Sequence, residues 1–391
     1  MPLLFVAIAL VAATTSAVRA AEPADLPQVI PDASVGAWVV ERFAGNTTAG
    51  AAFFQGPTRE VGGLGRPGAC LLPDGRVLVA FREGIAEVDA AGDLRLVSGA
   101  RALYGTTGQV NAGVLAYNPV DKHVYLAGAN CVRRLVEVAD GPWKVEIVAG
   151  TPGKAGYDDG PAVAATFTRV DSIAINGRGT IFVLDFNQRL RQIGNGAVTT
   201  LNAGVRGGRA DGPLEQAKFA MIGLGGNLCG GEDDDTLYLS DHWNFCVRRI
   251  DLKGRTVTTV AGMPRPAGAA AARTPQGKRY NANSDGPALT WASFNSGCAV
   301  VCWDPVHKAL WCGGPDENRG RWLKDGEVRT VLGAGKQDDK WPQDALGVPA
   351  PGVKMSWNSI VGVDAQGRAY IGFSGNPTGL WRAYPRAEVK P

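Results

Sequence analysis

Three groups of residues in this chain have types and spacings that could do chemistry. The first is Asn111, Asp171, Asn295 and Asn358. One carboxylate and three amides converging on a point could hold Ca²⁺, which takes six to eight oxygen ligands. The same side chains would equally line a hydrated polar channel. The second group is Asn130, Asp185, Asp241 and Asp316. Such residues either face a ligand or accept hydrogen bonds from loop N–H groups, as Asp does in tight turns. The third is the run Asp241-His242-Trp243-Asn244. Asp241 and His242 there are the catalytic candidates, a general base beside a carboxylate, and the alternative is a packed loop histidine. Trp243, Trp291 and Trp357 lie near these polar groups, and aromatics beside polar groups suit sugar or peptide binding.

These residues need a scaffold, and the sequence supplies one by repetition. A strand phrase ending in glycine occurs six times, closing at Gly45, Gly99, Gly150, Gly204, Gly262 and Gly333. Intervals of this length point to a propeller or solenoid. The clearest unit is an antiparallel meander. Ser172–Ile175 is strand a, Ile181–Asp185 strand b, Leu190–Ile193 strand c and Val198–Leu201 strand d. Asn176-Gly177-Arg178-Gly179 and Asn195-Gly196 are its hairpin turns. The final unit has strands a, b and c but no d. The orphan phrase Val39–Phe43 fits that vacancy, so six four-stranded blades form a ring closed by the N-terminal strand, which removes exposed edges. The expected fold is an all-β, six-bladed β-propeller.

That assignment sorts the candidates by face. Loops d–a and b–c share one face, and turns a–b and c–d the other. The long segments are d–a loops, so function is expected on that face. The second group then sits at the ends of b strands on the long-loop face. The first group starts the a strands along the central channel. His123 and His307 fall in a–b turns on the opposite face, which leaves His242 alone among the three histidines on the loop face and excludes a three-His zinc site there.

The chain resembles the NHL-repeat family. The resemblance rests on the Asp-Gly loop with a following Phe (Asp159-Gly160 and Phe167, Asp211-Gly212 and Phe219), on strand b ending in Asp185 or Asp241, on Arg in strand c, and on the closing Thr258-Thr259-Val260-Ala261-Gly262. It is strongest over residues 150–333. It implies the six-bladed propeller and leaves activity open, because the family holds binding modules and a lyase. The amidating-lyase member needs His ligands that this chain does not place on one face.

Composition bounds the rest. Residues 1–20 read as an export signal, with an apolar run Leu3–Ala13 and small residues before Ala21. Residues 21–37 then form a linker, 38–385 the propeller and 386–391 a tail, in an exported protein, periplasmic or extracellular. A net charge of +3 implies neither nucleic acid nor an anionic membrane as partner, and no second apolar stretch could span a bilayer. Seven cysteines leave at least one unpaired. Cys302 and Cys312 lie on adjacent strands, where two buried thiols are expected ahead of a disulfide. The insertion 263–284 is basic, a lid or a surface segment. The functional expectation is a module that binds a protein, small-molecule or carbohydrate ligand on the long-loop face. The alternative is a metal-assisted hydrolase or lactonase at the channel mouth, with Ca²⁺ held by the first group.

Overall fold

The computed structural model describes residues 28–29, 38–44, 68–81, 84–89, 94–99, 114–128, 130–139, 141–186, 189–204, 207–220, 228–262, 285–290, 292, 294, 300–313, 320–332, 358–374 and 378–385. They form six antiparallel sheets, the blades of a β-propeller. The expected export signal and the insertion 263–284 lie outside the described residues. No described helix is long and apolar enough to cross a membrane.

The third blade shows why the chain folds this way. Its strands are Val170–Ile175, Ile181–Asp185, Arg189–Gly194 and Ala197–Thr200. Asn195 and Gly196 take φ of 50° and 73°, the left-handed pair that a two-residue hairpin turn requires. Strand b is buried along its whole length, because neighbouring blades cover both of its faces. Phe182, Leu184 and Leu190 of this blade pack against Leu228, Leu237, Leu239 and Ile250 of the fourth. Each such side chain stabilises the fold by about 1.5–3 kcal/mol. Trp311 is fully buried in the fifth blade, and Trp303 stacks on Tyr238 of the fourth at 6.0 Å. Each described inner strand lies against the next from blade to blade.

The last blade joins both ends of the chain. Trp38–Ala44 pairs antiparallel with Thr378–Pro385, outside Ala369–Ser374 and Asn358–Val363. Two differences from the sequence reading stand out. Gln28–Val29, within the expected linker, adds a further short strand beside Val39 and Val40. The Asp-Gly-Pro loops also do more than connect. Gly160-Pro161 pairs with Val198 and Ala197, Gly212-Pro213 with Val257 and Thr256, and Gly286-Pro287 with Val328 and Glu327. Each loop therefore covers the outer edge of the blade it enters, and an edge without free N–H groups does not recruit another chain.

The closing glycines of the repeated phrase have a steric cause. Gly150 and Gly262 take φ of +91° and +97°. A Cβ there would sit 2.3 Å from the carbonyl oxygen of Asn130 or Phe245.

Candidate functional site

The residues that carry the repeat signature meet in a buried clasp. In the third blade Arg191, wholly buried, pairs with Asp185 at 3.3 Å and with Asp159 at 2.7 Å. Its guanidinium lies 4.5 Å from the centre of the Phe167 ring and donates to the Thr166 carbonyl. Asp159 also accepts from the N–H and hydroxyl of Thr200 in strand d. Asp185 accepts from the N–H groups of Thr168 and Arg169 at 3.0 Å. The fourth blade repeats this with Arg248, Asp241, Asp211, Thr259 and Phe219. The fifth repeats part of it with Arg321, Asp285, Thr330 and Phe294.

Asp185 and Asp241 are thus wholly buried frame residues beneath the long-loop face. Burial pushes both carboxyls above the usual carboxylate range, against the pull of the arginines and of the N–H donors. The Asp241 oxygens accept from Ala220 N–H, Asn244 and Arg248. His242 is itself buried, in a 3₁₀ turn spanning His242–Asn244, with its ring edge-on to Trp243. Of the expected pair of general base and carboxylate, Asp241 is thus a member of the clasp, with His242 next to it in the chain.

Asn130 stands apart from the clasp carboxylates. Strand b of the second blade ends at Gly128, opposite Cys131, which is the position Asp185 holds opposite Arg189. Asn130 sits two residues further on, in a tight b–c turn. Its amide donates at 2.8 Å to the carbonyls of Phe167 and Thr168, tying the second blade to the loop that enters the third.

Asp171 lies at a bulge in the inner strand, where the register slips between Val170 and Ser172. Both of its oxygens accept from Arg169, at 2.6 and 3.1 Å. Among the described residues no three His, Cys, Asp or Glu side chains gather as metal ligands. Asn111, Trp291, Asn295, Asp316 and Trp357 lie outside the described residues, and only the backbone of Asn358 is described. Of the expected Ca²⁺ set, Asp171 is therefore the one member whose side chain is described.

What the loop face does present is aromatic and cationic. Among the described residues its exposed large aromatics are Tyr157 (54 %), Trp243 (48 %) and Phe186 (37 %), and no other face carries one. All three lie in d–a or b–c loops of the third and fourth blades. The Arg169 guanidinium covers the Phe186 ring at 4.1 Å, and that of Arg189 covers Tyr157 at 4.6 Å. Arg189 also packs over Gly204, where its own atoms occupy the space a Cβ would need. Among the described residues Arg189 has no carboxylate partner, and its buried Nε has no acceptor. Sequence reasoning singled out Trp243. It missed Tyr157, Phe186 and Arg189, which adjoin the Asp-Gly and strand-b motifs, because their exposure follows only from the path of the loop.

No family model and no curated protein matches the chain. Solved structures do. One is a protein of unknown function from Bacteroides thetaiotaomicron, with TM-score 0.62 and 14% identity over 88% of this chain and 75% of that one. Auxiliary nutrient binding proteins from Bacteroides thetaiotaomicron and Bacteroides ovatus align with TM-scores of 0.58 and 0.57. Their identities are 12% and 13%, each over 89% of this chain and 76% or 77% of theirs. This likeness shows the fold. The chain is a six-bladed β-propeller.

Proposed function

We propose that this chain is an exported, NHL-like propeller that binds an acidic carbohydrate on the long-loop face of its third and fourth blades. The observation that carries the reading is the aromatic trio Tyr157, Phe186 and Trp243 on one face, beside Arg189, which has no carboxylate partner among the described residues. Exposed aromatic faces suit the apolar sides of sugar rings. A guanidinium already stacked on a ring and free of a carboxylate favours a ligand that brings its own, through two parallel N–H···O bonds. The nutrient-binding neighbours support a binding role, and the leader-like residues 1–20 support export. The alternative, a metal-assisted hydrolase using Asp171, is less well supported, because Arg169 already takes both oxygens of that carboxylate.

The test is calorimetric titration with trigalacturonate, and with maltotriose as the neutral comparator. The acidic sugar binds and the neutral one binds at least tenfold more weakly. Equal binding of both, or of neither, would contradict the proposal.

A further inference from the structure

The opposite face carries a second built site. A cleft of about 500 Å³ opens between the first and second blades, lined by short turns. Asp74 and Arg76 come from the first a–b turn, and Lys122 and His123 from the second. Glu137 and Trp143 follow strand c of the second blade.

Arg76 fixes the cleft's polar groups. It donates to Glu87 at 2.8 Å, to Glu137 at 2.9 Å and, through Nε, to Asp74 at 2.8 Å. Glu137 and Asp74 remain about half exposed. Lys122 is exposed at the rim, on a left-handed backbone with φ of 61°. Trp143 is 4 % exposed, and its Nε1–H meets no acceptor among the described residues.

We propose that this cleft binds a small neutral sugar or polyol. Its volume falls in the range of small-ligand sites. Its lining sets the Asp74 and Glu137 carboxylates against the Arg76 and Lys122 cations, so an ion of either sign gains from one pair and is repelled by the other. A vicinal diol avoids that conflict, because each hydroxyl both donates and accepts. The Asp74 and Glu137 carboxylates, oriented by the N–H groups of Arg76, accept from the hydroxyls, and Lys122 donates to the hydroxyl oxygens. The indole of Trp143 supplies an apolar wall. This site is independent of the loop face and of the ligand proposed there.

The experiment titrates the full chain with D-glucose, D-galactose, L-arabinose, maltose and cellobiose by calorimetry. At least one sugar should bind. Glu137→Gln and Lys122→Ala, both at exposed positions, should each weaken that binding at least tenfold with the melting temperature unchanged. Absence of binding across the panel would overturn the proposal. So would binding that both variants retain at full strength, which would put the sugar elsewhere.

Discussion

Asp185 and Arg191 meet at 3.3 Å with neither side chain exposed, and Asp241 and Arg248 repeat the pair at 3.0 Å one blade on. Removing one partner of such a pair strands a buried charge, at a cost of about 3–5 kcal/mol. Arg191→Ala should therefore cost about that much in urea unfolding. Arg178→Ala, whose partner Asp235 is a surface residue, should leave the transition where it was. Equal loss from both would mean the clasp is not a frame element.

The two carboxylates on Arg191 carry opposite pH signs. Burial works against the charge of Asp159, but the bonds from Thr200 and Arg191 outweigh it and hold its carboxyl below the usual 3.8. Its contribution is present above that value and lost as pH falls through the lower folded value. For Asp185 burial raises the folded value. Its contribution is largest when protonated and is lost as pH rises through that value. Asp159→Asn should thus flatten the loss of stability from about pH 5 downward. Asp185→Asn should flatten the loss on the rising side, above 3.8. Denaturant melts at a series of pH values read both slopes.

Gly262 closes strand d with φ of +97° and no room for a Cβ. Gly262→Ala should cost about 1–3 kcal/mol from backbone strain alone. At Gly99, where a Cβ would meet nothing within 4 Å, alanine should be tolerated. Thermal melts of the two variants test this contrast.

Cys302 lies opposite Trp311, and Cys312 opposite Val301. One residue out of step in a pleated pair, the two sulfurs belong to opposite faces of the sheet, and both thiols are free. Burial pushes Cys70, Cys246 and Cys302 up to about 12, so little reactive thiolate forms at neutral pH. Iodoacetamide at pH 8 should leave these three unmodified in the folded protein and alkylate them after denaturation. Mass spectrometry of the peptides reads the result.

The blades were legible because their signals are local. Asn195-Gly196 fixes a turn, the run Ile181–Asp185 marks a strand covered on both sides, and the phrase ending in glycine sets the period. The clasp was half legible. Asp185 and Arg191 recur visibly, but their mutual burial depends on Asp159 folding back from a distant loop. Asn130 was misplaced because a tight turn in the second blade ends strand b two residues early, and the letter alone does not show that. The cleft was not legible at all. Arg76 and Glu137 lie 61 residues apart, in blades whose repeat is weakly marked, and only the packing of one blade on the next joins them.

Arg189 provides the most direct test of the central claim, that the loop face binds an acidic carbohydrate. The measurement is the affinity of trigalacturonate for the parent protein and for Arg189→Gln, at low and at physiological salt. The account predicts that the parent binds more weakly as salt rises, and that the variant loses at least tenfold, about 1.4 kcal/mol, together with most of the salt dependence. Unchanged affinity in Arg189→Gln, or binding indifferent to salt, would contradict it.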